Sequence, residues 1–167
     1  MVGRPAPEWQ NLVWLNSPPL HLRDLRGKLV LLRFWTNTCP FCAATAPALR
    51  QINEDFARRG VVVIGMYHPK PPGANRPVHE VQQTIRGWGW RFPVGLDMQW
   101  KTLEAFWLNG PARDATSASF LIDRRGIIRW VHPGPEYHPG GPPDHQQCRE
   151  DYRDLRQAIE ALLVEAR

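Results

Sequence analysis

Apolar positions along the chain fall into short unbroken runs, separated by segments in which they recur every third or fourth residue. Leu29–Trp35, interrupted only by Arg33, and Val61–Tyr67 are rich in branched apolar side chains, and each predicts a buried strand. Between them Leu49, Ile52 and Phe56 stand at helical spacing. Residues 40–59 therefore predict a helix, stopped by Arg58-Arg59-Gly60 and kinked at Pro47. Val78, Val81, Ile85 and Trp88 mark one face of a second helix. Phe92–Asp97 predicts a short strand, and Trp100–Trp107 a short helix ended by Asn109-Gly110-Pro111. Phe120–Asp123 and Ile127–His132 flank Arg124-Arg125-Gly126 and predict a hairpin. Tyr152, Leu155, Ile159, Leu162 and Ala166 stripe a last helix over residues 148–166.

Residues 1–28 predict an N-terminal arm, with short strands around Glu8–Trp14 and a turn at Ser17-Pro18-Pro19. Two proline-rich loops follow the pattern breaks, at residues 68–77 and 134–147. Strands alternating with helices imply an α/β fold, with a mostly parallel central sheet covered on both faces. The hairpin then supplies an antiparallel edge. The length of 167 residues fits one domain, with its core over residues 29–133.

Composition narrows the function. Three cysteines exclude a disulfide-stapled scaffold. The net charge of +5 is carried by Arg residues scattered from Arg23 to Arg153, with no basic tail or stripe, which speaks against a nucleic-acid partner. No apolar run approaches the ~20 residues of a membrane span, so no membrane insertion is expected. Met1-Val2-Gly3-Arg4-Pro5 opens no apolar stretch of signal-peptide length. A cytoplasmic location is expected for a complete chain, a periplasmic one if a leader was removed.

Chemistry concentrates in Trp35-Thr36-Asn37-Thr38-Cys39-Pro40-Phe41-Cys42. Pro40 lacks an N–H and suits the first helical position, which makes Cys39 the N-cap. Free backbone N–H groups and the positive helix end then stabilise the Cys39 thiolate. Cys42 lies on the same helical face, at about 5–6 Å between Cα atoms, a separation that suits a disulfide. The pair can attack a substrate disulfide through Cys39 and resolve the mixed disulfide through Cys42. A C-x-x-C can also be half of a zinc site, but no second ligand pair stands out at ligand-like spacing.

A strand running into Trp-x-x-x-Cys-Pro-x-Cys resembles the thioredoxin superfamily. With Ala6-Pro7-Glu8-Trp9, Leu25-Arg26-Gly27-Lys28, Ala46-Pro47-Ala48-Leu49, Val62–Gly65 and Phe120–Gly126, the pattern resembles its redoxin branch over residues 6–132. That branch holds the alkyl-hydroperoxide-reductase/thiol-specific-antioxidant group and the bacterial cytochrome-maturation thioredoxins. The resemblance implies a three-layer α/β/α thioredoxin-like fold, its central sheet mixed, with a strand–helix insertion and a terminal hairpin. It also implies dithiol exchange with protein substrates and a redox partner, by a monomer with no organic cofactor and no metal.

The chain departs from that family twice. Ser117, after Thr116, stands where family members carry a cis-proline beside the dithiol; a trans Thr116–Ser117 peptide is expected, since a non-proline cis bond costs ~3–4 kcal/mol. Arg33 stands where many thioredoxins carry a buried carboxylate, two residues before the motif Trp. A cation there favours thiolate and makes the disulfide more oxidising; the plainer reading has Arg33 reach the surface or pair with a carboxylate.

Trp35 is expected against the dithiol and Phe41 as an apolar substrate contact. Trp88, Trp90, Trp100 and Trp107 read as packing. Thr36 stands three before Cys39, as a Thr does in peroxiredoxins, but the proline expected upstream is Leu32. A thiol peroxidase is therefore the alternative enzyme, and a non-catalytic binding or metal-holding module the alternative of another class. Cys148, with His132, His138 and His145 nearby in sequence, reads as a free thiol in a solvated loop, against metal capture or intermolecular bridging.

Overall fold

The computed structural model describes residues 1–10, 12–113 and 115–165; Ala166 lies outside the described residues. Six strands form one sheet: β1 (Val13–Leu15), β2 (Leu29–Trp35), β3 (Val61–Tyr67), β4 (Val94–Leu96), β5 (Ser119–Ile122) and β6 (Ile128–His132), in the order β1-β4-β3-β2-β5-β6. The helices are α1 (Pro40–Phe56), α2 (Val78–Gly87), α3 (Lys101–Leu103) and α4 (Gln146–Val164).

The sheet is mixed, as the resemblance implies, and less of it is parallel than the alternation of strands and helices suggests. β2 runs parallel to β3 and β3 to β4, while β1–β4, β2–β5 and β5–β6 are antiparallel. The arm folds back along β4, and β5 returns against β2 before the hairpin. Among the described residues around Glu8–Trp14, only Val13–Leu15 forms a strand.

β2 is buried along its whole length because both its faces are covered. A strand turns alternate side chains to opposite faces. Leu29, Leu31 and Trp35 pack with Leu49, Ile52 and Phe56 of α1, Val81 and Ile85 of α2, and Leu155 and Ile159 of α4. Val30, Leu32 and Phe34 pack on the other side with Trp9, Leu22, Leu103 and Phe106. Each such aliphatic side chain contributes about 1.5–3 kcal/mol by leaving water. Arg33 belongs by this alternation to the face of α1.

Several element ends moved. α1 passes through Pro47 as one helix and gives way to a tighter turn over Ala57–Arg59. α2 ends at Gly87, with Trp88 as its cap. β4 is shorter than Phe92–Asp97, since Pro93 has no N–H for a ladder. The helix from Trp100 is three residues of α3 followed by a wide π-turn over Glu104–Leu108. Its start is fixed by Asp97, whose buried carboxylate accepts from the N–H groups of Thr102 (3.1 Å) and Leu103 (2.8 Å). α4 begins two residues before 148, at Gln146, so the second loop is shorter than 134–147. No helix among the described residues is long and apolar enough to cross a membrane.

Candidate active site

β2 delivers the chain to the end of the sheet, and the turn after Trp35 places Cys39 as N-cap of α1 with extended backbone (φ −99°, ψ 118°) and Pro40 in the first helical turn. The Cys42 N–H points at Cys39 Sγ from 3.4 Å. Cys39 is half-buried and Cys42 buried, and both are free thiols.

The two sulfurs titrate in opposite directions. Cys39 falls from an ordinary value of 9.0 to about 5. The largest cause is a hydrogen bond from the Cys42 thiol; burial opposes it, and the N–H groups of Cys42 and Phe41 and the Arg33 charge add to it. Cys42 is pushed up, first because it donates that bond and then because it is buried. Arg33 and the Thr36 N–H pull Cys42 the other way. One sulfur therefore favours the thiolate and the other the thiol.

Arg33 does not reach the surface, being 1% exposed, and it pairs with no carboxylate among the described residues. One guanidinium nitrogen donates to the Ser117 carbonyl, and the other to the Pro135 carbonyl (2.7 Å) and to Thr45 Oγ1 (3.5 Å). The guanidinium carbon stands 5.4 Å from the Tyr137 ring centre. A buried charge needs such partners, because desolvation costs several kcal/mol per ion. Thr45 Oγ1 also accepts from the Tyr137 N–H at 3.3 Å, and the Tyr137 hydroxyl meets Ser119 Oγ at 2.8 Å. Thr45, Pro135 and Tyr137 escaped the sequence reading. Pro135 lies 102 residues from Arg33, and no local pattern marks it.

The Thr116–Ser117 peptide is trans, while Lys70–Pro71 and Gly134–Pro135 are cis. Ser117 is buried and donates from Oγ to the Pro135 carbonyl at 3.3 Å. Phe41 is 45% exposed beside the dithiol. Trp35 lies in the same core cluster as Cys42, with ring centres 5.0–5.1 Å from Trp88, Trp90 and Tyr67. Trp90 is anchored by its indole N–H to the Ala46 carbonyl of α1 at 3.1 Å. Trp100 and Trp107 likewise donate to backbone carbonyls, of Pro69 and Ala115. His132 is bonded to Asp151 at 2.8 Å, apart from His138 and His145.

The chain is 31% identical over 130 residues to protein DipZ of Mycobacterium bovis, an alignment covering 75% of this chain and 18% of DipZ. It is 28% identical over 120 residues to the thiol-disulfide oxidoreductase ResA of Halalkalibacterium halodurans, covering 72% of this chain and 62% of ResA. The chain thus spans less than two thirds of either relative. Among solved structures, a thiol:disulfide interchange protein of the thioredoxin family from Chlorobium tepidum superposes with a TM-score of 0.71 at 22% identity, over 95% of each chain. That likeness shows a thioredoxin-like fold. The AhpC/TSA family model matches residues 2–131, most of the chain, and the chain belongs to that family.

Proposed function

We propose that this protein is a thiol–disulfide oxidoreductase working on protein substrates through Cys39 and Cys42. The observation that carries the reading is Cys39 at the N-cap of α1, its Sγ accepting from the Cys42 N–H at 3.4 Å, with the buried Cys42 thiol one turn on. Similarity to ResA, named a thiol-disulfide oxidoreductase, supports it.

The steps follow from these groups. Cys39 thiolate attacks one sulfur of a substrate disulfide; an S–S bond to Cys39 forms, and the other substrate sulfur leaves as thiolate and takes a proton. Cys39 then carries no negative charge, so the bond that held the Cys42 proton is lost. Arg33 and the Thr36 N–H favour Cys42 thiolate, whose proton passes to solvent; it attacks Cys39 Sγ, the bond from Cys39 to the substrate breaks, and the substrate sulfur leaves as thiolate and takes a proton. The substrate leaves fully reduced, and the Cys39–Cys42 disulfide holds its two oxidising equivalents. The reverse order oxidises a substrate dithiol. Exposed Phe41 offers substrate an apolar contact beside the nucleophile.

Reduction of insulin disulfides by the wild-type chain and by Cys39→Ser tests this. Activity that disappears in Cys39→Ser supports exchange; equal rates in both refute it. Peroxide consumption without any disulfide substrate would favour the peroxidase reading instead.

A further inference from the structure

A second group of reactive side chains lies on the loop after β6 and the start of α4. Glu136, His138, His145 and Cys148 each present one ligand atom, and these four atoms lie within 4.8 Å of one another. His145 Nδ1 is 3.3 Å from His138 Nε2. His138 Nε2 is 3.4 Å from one Glu136 oxygen, and His145 Nδ1 is 4.0 Å from the other. Four ligands at Zn–N, Zn–O and Zn–S bond lengths around a tetrahedral ion are separated by roughly 3.3–3.8 Å. The group needs only a small closure to reach that spacing.

The surroundings orient these ligands. His138 Nδ1 lies 2.8 Å from the Gly140 carbonyl, which can only accept, so Nδ1 carries the proton and Nε2 turns its lone pair inward. Gly141, at φ +92°, makes room for this ring: a Cβ there would fall 2.6 Å from His138 Cε1. The His138 N–H bonds the Cys148 carbonyl at 3.3 Å, tying the loop to α4 beside the ligand atoms. His138 is buried, and the other three are partly buried.

We propose that Glu136, His138, His145 and Cys148 form a binding site for a Zn2+-class divalent cation, separate from the Cys39–Cys42 pair. A thiolate, a carboxylate and two neutral imidazoles suit a borderline-soft ion and neutralise its two charges. Binding releases the Cys148 thiol proton to solvent, and the ion's charge stabilises the thiolate. Four protein ligands leave no open position, so the site is structural: it fastens the loop to the first turn of α4. The same loop carries Pro135 and Tyr137, which enclose Arg33. Of the side chains the sequence sets near Cys148, the fold keeps His138 and His145, adds Glu136 and leaves His132 bonded to Asp151.

Titration with Co2+ in the Cys39→Ser/Cys42→Ser protein tests the proposal without the dithiol as competitor. One equivalent should give tetrahedral d–d bands with a thiolate-to-cobalt charge-transfer band, both displaced by Zn2+. In the same background, Glu136→Gln or His145→Asn, each folded by circular dichroism, should weaken binding at least about tenfold. Zn2+ should raise the melting temperature of the parent and not of His145→Asn. Absence of the charge-transfer band at one equivalent, or affinity indifferent to both substitutions, overturns the site. This outcome is independent of insulin reduction, which reads the dithiol alone.

Discussion

Arg33 donates a hydrogen bond to the Ser117 carbonyl, so the two positions at which this chain departs from the common thioredoxin pattern touch each other. A cation where a carboxylate is usual and a trans serine where a cis-proline is usual are one arrangement, completed by Pro135, Thr45 and Tyr137. Its charge is one of the causes that lower both thiols of the pair.

Removing that charge should make the pair more reducing. Arg33 is the smallest contributor to the low Cys39 value. Arg33→Met should therefore lower the reduction potential by no more than on the order of 30 mV, the equivalent of one pKa unit for a two-electron couple. Equilibration with glutathione buffers measures it. The wild-type potential should lie above ~−270 mV, the value of a reducing thioredoxin; a value at or below that would remove the proposed role of Arg33.

The Cys39 titration should depend chiefly on Cys42. Alkylation of Cys39 should run at its plateau above pH 6 and fall with a midpoint at about 5. In Cys42→Ala the largest cause is gone, while burial, which raises the value, remains against the Phe41 N–H, the backbone N–H at position 42 and Arg33, so the midpoint should rise toward 9.0. An unmoved midpoint would show that the helix end, not the partner thiol, holds the charge. The lowered value also stabilises the reduced fold: the gain is complete above pH 9 and is lost as pH falls through about 5. The raised Cys42 value acts with the opposite sign, and only above pH 9. Stability of the reduced wild type relative to Cys39→Ser should therefore fall between pH 9 and 5.

How much of this was legible in the chain follows from the range of each interaction. β2 and β3 were plain because seven-residue apolar runs have no other soluble use, and both came out with the stated ends. The dithiol at the head of α1 was equally local. The π-turn at Glu104–Leu108 leaves no periodicity to read. The surroundings of Arg33 and the placement of Glu136 depend on contacts made only once the loop after β6 has folded onto α1 and α4.

Gly65 holds space for the tryptophans behind the dithiol. A Cβ there would lie 2.9 Å from Trp90 Cζ3 and 3.0 Å from Trp35 Nε1. Gly65→Ala should cost about 1–3 kcal/mol by overpacking and shift the tryptophan fluorescence. Chemical denaturation checks it; full stability with unchanged emission would mean the indoles yield freely.

His68 should make the fold acid-sensitive. It is fully buried, stacked on Trp100 at 5.2 Å, and both its ring nitrogens lack partners among the described residues. Burial first, then Lys70, lowers it to about 3. Its native state resists protonation, so the stability it contributes is complete above pH 6.5 and is lost as pH falls toward 3. His68→Leu should move the acid-unfolding midpoint to lower pH, as followed by circular dichroism. A midpoint unchanged or raised would contradict it.

Trapping the mixed disulfide tests the mechanism most directly. Cys42→Ser removes the resolving sulfur, so incubation with an unfolded protein disulfide should accumulate a covalent adduct that peptide mass spectrometry places on Cys39. An adduct on Cys148 alone, or none while Cys39 remains alkylatable, would contradict nucleophilic exchange through Cys39.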